Sequence, residues 1–322
     1  MPTSTSVTSG SEVPLEPVGA CSVGNWTDSG LLAINVNWDE EDFELSVFDL
    51  SSRVIHRLTD NGVVDRWPKW SPDGKKILFF SDRYGDDYEL FVLDYDSGDL
   101  SQLTDNDTHD AFASWSPDGL EIVFASQRDG DWEIFLANAD GTNVRQITHN
   151  EVDDHTPVWS SSLDLIAFNS YRTDGYRMWL MNGDGSSQEM INIEESPGFP
   201  VWSGDGTKIA FNSATEGTRA VGILDPVGND PIRIMPVEGG WPVWLEDDRR
   251  IAFSSPKCGG VWQIFLANSD GTDVVVMQEH VNAANDTVSF NADAPTSGHV
   301  RHAGEDLRAG EAVLLPGKLL RP

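Results

Sequence analysis

Three aspartates stand at one distance ahead of three tryptophans. Asp65, Asp110 and Asp154 each lie five residues before Trp70, Trp115 and Trp159. Asp153 adjoins the last of them, and Glu195 and Glu238 sit near the equivalent point further along the chain. Carboxylates that recur at one level of a repeating structure would form part of an acidic rim, able to capture a cation, an amine or a basic peptide segment. The competing role is local, because loop aspartates often accept from nearby backbone donors. His109 and His155 flank the same positions, and as isolated imidazoles they read as surface residues rather than metal ligands.

Other chemistries lack their residues. No G-x-S-x-G elbow occurs, and the serine of "WSGDG" stands in a turn. The sequence contains no H-E-x-x-H, Walker loop or dinucleotide fingerprint. Paired carboxylates carry little information in a chain with 53 acidic residues. The Asp-Gly turns "SPDG", "ADGT", "GDGS" and "SDGT" invite a calcium reading, but such a loop needs more oxygen ligands in register and a closing bidentate Glu. The expectation is no catalytic residue, no metal and no cofactor in this part of the chain, and a binding module rather than an enzyme.

The elements that must position these residues repeat. Trp26, Trp70, Trp115, Trp159, Trp202 and Trp244 are spaced 44, 45, 44, 43 and 42 residues apart. After each comes an apolar run ("KKILFFS", "LEIVFAS", "LDLIAFNS"), a polar turn, a third segment ("YELFVLD", "WEIFLAN") and a closing one ("LSQLTD", "VRQITHN"). Each unit therefore predicts four short strands separated by Gly, Asp, Asn and Pro turns. The second and third strands are apolar on both faces, so each sheet must be covered on both sides by neighbours. Six such units predict an all-β, six-bladed β-propeller of four-stranded antiparallel blades. The recurrent Trp, at the end of the innermost strand, is expected to pack between blades.

Composition bounds the partners. With 53 acidic against 21 basic residues the net charge is −32, which repels nucleic-acid phosphate and anionic membranes. A protein, a basic peptide or a small cationic ligand remains, and a monomeric propeller is expected. No run approaches the roughly 18 apolar residues of a membrane span. Residues 1–21 are rich in Ser, Thr and Pro, without the basic and apolar regions of a signal peptide, and read as a flexible leader. Cys21 and Cys258 cannot make a structural zinc site alone. They could form one disulfide, closing the ring between the first and last blades in an oxidising compartment, or remain two free thiols.

"PKWSPDGKKILFFSDRYGDDYELFVLDYDSGDLSQLTD" resembles the WD40-like repeat of TolB-type six-bladed propellers, and the likeness extends over about residues 22–272. The resemblance implies a non-enzymatic platform engaging its partner at one mouth of the central channel, in an extracytoplasmic setting. Related blades also serve as gating modules of serine peptidases, so a gating or sensor propeller from a larger envelope protein is a further reading.

The propeller is expected to span residues 22–280 and a tail 281–322. From about residue 273 the chain resembles a second family. "DVVVMQE" followed by "HVRHAGEDLRAGEAVLLPGKLLRP" is similar to the MoeA/gephyrin-type molybdopterin molybdenumtransferases, through Val274, Val275, Met277, Gln278 and Glu279 and then Val300, Arg301, Gly304, Glu305, Asp306, Gly310, Leu315, Gly317, Leu319 and Pro322. That family's early aspartate motif and its later "TGDE"-type and "SGG-S" motifs have no counterpart here. The resemblance therefore implies a fragment of a molybdenum-cofactor enzyme, cytoplasmic by that kinship. It would use molybdopterin and magnesium only if the missing domains were supplied.

Overall fold

The computed structural model describes residues 20–290 apart from 28, 37–41, 50–51, 53, 174, 194–196, 216–217, 228–232, 246–247, 259–260, 273–274, 278 and 283–286. At several strand positions, Cys21, Trp26, Glu238 and Cys258 among them, it describes the backbone alone.

Six four-stranded antiparallel sheets follow one another along the chain, each built from consecutive strands paired in order. The first blade comprises Ala20–Trp26, Leu31–Val36, Glu44–Asp49 and Val54–Arg57. The second comprises Asp65–Trp70, Lys76–Ser81, Glu89–Asp94 and Leu100–Gln102. Asp110–Trp115, Glu121–Ser126, Glu133–Asn138 and Arg145–Gln146 make the third. Asp154–Trp159, Leu165–Thr173, Gly175–Asn182 and Glu189–Met190 make the fourth. The fifth holds Gly198–Trp202, Ile209–Thr215, Thr218–Leu224 and Arg233–Glu238, and the sixth Gly240–Trp244, Arg250–Cys258, Val261–Asn268 and Val275–Met277. A separate hairpin pairs Glu279–Asn282 with Thr287–Phe290. No helix occurs among the described residues.

The first inner strand packs against the last, Ala20–Trp26 on Gly240–Trp244, so the ring closes by side-to-side contact without strand exchange. The expected six-bladed propeller is thus the observed architecture. Cys21 and Cys258 both fall in strands, and whether their side chains pair lies outside the described residues.

The core lies between blades. One cluster joins Ala33, Leu45 and Val47 of the first blade to Trp70, Ile77, Phe79 and Phe91 of the second. Another joins Ala210, Val221 and Ile223 of the fifth to Trp244, Ile251, Phe253 and Phe265 of the sixth. Two-sided burial explains why these strands are continuously apolar where a one-sided sheet would alternate. The recurrent tryptophans extend the contact with a polar link. The indole N–H of Trp115 donates to Lys69 O, that of Trp202 to Val158 O and that of Trp244 to Val201 O, each at 3.1 Å and each crossing to the preceding blade. At the first junction Asn25 replaces the link, its amide donating to Trp70 O at 3.2 Å and accepting from Trp70 N–H at 2.6 Å.

The Asp-Gly turns are closed by their own side chains. In "SPDG", Ser71 Oγ donates to Asp73 Oδ1 at 2.6 Å and accepts from Lys76 N–H at 3.0 Å, with Gly74 at φ 68°. Asp140, Asp184 and Asp270 accept from Thr142, Ser186 and Thr272 in the later turns. These aspartates are occupied by local donors, the role their turn context predicts.

Trp202→Phe, which keeps the ring but strands the Val158 carbonyl, should cost about 1–2 kcal/mol in urea unfolding. Trp202→Ala should cost about 3–5 kcal/mol, so near-equal losses would mean that the hydrogen bond contributes nothing.

Candidate functional site

The inner strands are anchored to the preceding blade. At the far end the indole N–H of the recurrent Trp makes the link in the third, fifth and sixth blades. At the start, the N–H groups of Asp65, Asp110 and Asp154 donate to the carbonyls of Phe43, Tyr88 and Trp132 of the preceding blade, at 2.7, 2.7 and 2.6 Å. Between these anchors every inner strand of the second to sixth blades carries a register shift against its neighbour. Three residues before the Trp, the backbone turns left-handed at Trp67, Phe112, Thr156, Phe199 and Trp241, with φ between 50° and 63°. Non-glycine residues adopt this conformation at a cost of about 1–2 kcal/mol each. The bulge re-aims their side chains, and four of the five are aromatic. Trp67 lies 5.3 Å from both Phe112 and Phe199, centroid to centroid.

The carboxylates expected to form an exposed rim are placed otherwise. Asp65, Asp110 and Asp154 are fully buried. Asp65 pairs with Arg83 at 2.6 Å, Asp110 with Arg128 at 2.5 Å, and Asp154 with Arg172. Each also accepts from an asparagine, Asn61, Asn106 or Asn150, at 2.8–2.9 Å. The backbone N–H of the same asparagine donates to a glutamate of the preceding blade, Glu44, Glu89 or Glu133. The guanidinium groups in turn lie over aromatic rings, Arg83 on Phe79 and Phe91 and Arg128 on Phe124 and Phe135. A partner could not reach these aspartates without breaking the blade junctions. Burial is the physical reason they leave the rim: a buried carboxylate requires a paired cation, and an arginine eighteen residues on supplies one in each case.

Asp153 is half-buried and accepts from Trp132 N–H at 3.1 Å. Glu195, and the side chain of Glu238, lie outside the described residues. His109 and His155 are half-buried members of a ring ladder. Nδ1 of His109 accepts from Tyr88 N–H at 2.9 Å, and the imidazole stacks on Trp132 with centroids 6.3 Å apart. His155 lies 5.2 Å from Tyr176 and 6.1 Å from Phe112, and burial holds its pKa below the usual value. Rings thus run from His109 through Trp132 and Phe112 to Trp67.

The acidic groups beside this ladder are ones the repeat arithmetic passed over. Asp86, Asp87, Asp107, Thr108, His109 and Gln127 line a concavity of about 520 Å³. In the neighbouring blade Asp129, Asp131 and Glu133 bring carboxylate oxygens within 4.8 Å of one another. Burial, and then the charge of Asp129, hold Asp131 above the usual carboxylate range. No lysine or arginine lines the concavity.

Fold and site define a six-bladed propeller with an aromatic-lined channel and an acidic depression on the same run of rings. Residues 84–199 match the family described as the TolB beta propeller domain, and residues 269–322 match the MoeA N-terminal region (domain I and II). Of the second match only Ser269–Thr272, the strand Val275–Met277 and the Glu279–Phe290 hairpin contain described residues. No curated protein matches the chain. It is similar to the crystal structure of TolB from Acinetobacter baumannii, at 19% identity and TM-score 0.67 over 76% of this chain, and it spans 62% of that one. It is similar also to an oligogalacturonate lyase from Vibrio parahaemolyticus (14% identity, TM-score 0.61, 82% of this chain and 80% of that one). A third likeness is to the propeller domain of the Trilobed protease from Pyrococcus furiosus, described as having an open velcro topology (12%, 0.55, 80% and 84%). At these identities the likenesses carry the fold.

Two stability experiments follow from the buried network. Asp110→Asn leaves Arg128 without its anion and should cost about 3 kcal/mol, the low end for breaking a buried pair because Arg128 keeps some solvent. Urea unfolding measures it, and a loss below about 1 kcal/mol would class the pair with surface ion pairs. Burial also lifts Glu89 and Glu133 to about 7. The folded state then binds more protons than the unfolded chain between about 4.5 and 7, so the contribution of these groups is fully present at the acid end and lost as pH rises through 7. The wild-type melting temperature should fall from pH 5.5 to 8 along a slope that is shallower in the Glu89→Gln, Glu133→Gln double variant, about those two pKa values.

Proposed function

We propose that this propeller is a non-catalytic binding platform that takes a basic peptide segment of a partner protein, or a small cationic ligand, at the acidic mouth formed by Asp86, Asp87 and Asp107 beside His109. The observation that carries this reading is the concavity itself: three carboxylates and no cation line it. Carboxylates without a paired cation favour ammonium and guanidinium groups through charge. The buried aspartates of the junctions play no direct part. They hold the strands from which the mouth loops depart.

A second reading attaches to the match over residues 269–322, that this stretch is a piece of a molybdopterin molybdenumtransferase. Under it the segment would act only with the remaining domains of such an enzyme, which alone would call for molybdopterin and magnesium.

Titration calorimetry with a tetralysine peptide tests the mouth. Both Asp86 and Asp107 are exposed, so Asp86→Asn with Asp107→Asn should leave stability unchanged while weakening binding by about tenfold. Raising salt from about 0.05 to about 0.5 M should weaken the wild type in the same direction. Equal affinity in wild type and double variant would remove the mouth as the site.

A further inference from the structure

Lys69 departs from its own repeat. The residue just before the recurrent Trp is Asn25 in the first blade, Ser114 in the third, and Val158, Val201 and Val243 in the last three, and the second blade alone places a lysine there. Because strand side chains alternate, the Trp turns toward the blade junction and its predecessor toward the channel. Lys69 accordingly lines a channel pocket with Trp67, Thr156, Val158, Phe199 and Trp241. Only 9% of its surface is exposed. Among the described residues its ammonium makes no hydrogen bond or ion pair.

An unpaired buried ammonium is costly, and nothing in the blade scaffold requires it, since valine fills the same place in three other blades. Burial lowers the pKa of Lys69 to about 8, so the group remains largely charged near neutral pH. The pocket offers about 30 Å³, room for roughly two waters or a group of that size. Thr156 cannot compete as a donor, because its hydroxyl hydrogen is given to Asn169 Oδ1 at 2.9 Å.

We propose that this pocket is a subsite for a carboxylate, held by Lys69 between the rings of Trp67, Phe199 and Trp241. A single monovalent cation among apolar walls matches a planar monoanion. A phosphate dianion would keep an uncompensated charge in the same walls. The subsite deepens the proposed binding role and rests on the channel being the place of binding. A free organic acid and the carboxy terminus of an inserted peptide share this chemistry.

The test follows tryptophan fluorescence, since Trp67 and Trp241 report on the pocket, during titration with propionate, propionamide, phosphate, acetyl-triglycine and its C-terminal amide. The expected result is a saturable response to propionate, to acetyl-triglycine or to both, at least about tenfold weaker for the neutral amides and for phosphate. If propionate suffices the source is a free acid, and if only the peptide acid binds it is a chain terminus. Lys69→Val, which installs the residue of three other blades, should melt no lower than wild type and lose the response about tenfold or more. No saturable response to either carboxylate, equal responses to acid and amide, or an unchanged response in folded Lys69→Val would overturn the subsite. Because tetralysine binding is read separately, a wild type that binds tetralysine but gives no carboxylate response removes the subsite and leaves the acidic mouth standing.

Discussion

The architecture turns on how one blade is fastened to the next. A blade buries apolar residues on both faces, so no blade is stable alone, and apolar contact by itself would let neighbouring sheets slide. Directional links remove that freedom. At the start of the inner strand a buried Asp–Arg pair is tied through an asparagine to a glutamate of the preceding blade. At its far end an indole N–H reaches the preceding inner strand. Between its two ends the inner strand bulges, in the fifth and sixth blades as in the others, and the bulge turns Trp67, Phe112, Phe199 and Trp241 to left-handed φ. The aromatic lining of the channel thus follows from the bulge, and its strain is carried by the blade packing on either side.

The links are not uniform around the ring. The Asp–Arg–Asn–Glu network fastens the first blade to the second, the second to the third and the third to the fourth. Five residues before the recurrent Trp the fifth and sixth blades have Pro197 and Gly239 instead. There the junction relies on the indole links of Trp202 and Trp244 and on turn contacts, such as Ser160 Oγ donating to Gly206 O at 2.9 Å and Asp248 accepting from Gly204 and Asp205 N–H. Residues 84–199, which match the TolB propeller family, contain two of the three networks entire.

Much of this was legible in residue types. A Trp every 42–45 residues and strands apolar on both faces lead to six covered sheets, because periodicity and burial are properties of side chains. The position of the aspartates was legible as well, and their role was not. A carboxylate's exposure depends on whether a cation is folded against it, and the signal was the arginine eighteen residues later in "SDR", "SQR" and "SYR". The bulge left no trace of that kind, since Trp, Phe and Thr have no preference for positive φ that would announce it. Lys69 could have been found by aligning the repeats and asking which position breaks its own rule. At the other end, Val275–Met277 reads equally as a transferase strand and as a fourth blade strand. Pairing with Ile264–Leu266 completes the sixth sheet, because backbone hydrogen bonding accepts any short apolar run.

Charge then separates the channel pocket from the depression around His109. The network arginines Arg83, Arg128 and Arg172 are committed to buried aspartates, so the surplus of carboxylates dominates the surface and the depression around His109. Lys69 presents the opposite sign further along the same run of rings. Under the proposed binding role, a bare anion entering past the acidic groups would bind at Lys69 more weakly for their charge, an effect screened beyond a Debye length of about 8–10 Å. A segment carrying a positive group ahead of or beside its carboxylate would be drawn in by the first and held by the second. If both proposed sites serve one ligand, the arrangement would favour a partner whose charges are spaced like those of the two sites over a bare anion or a bare cation.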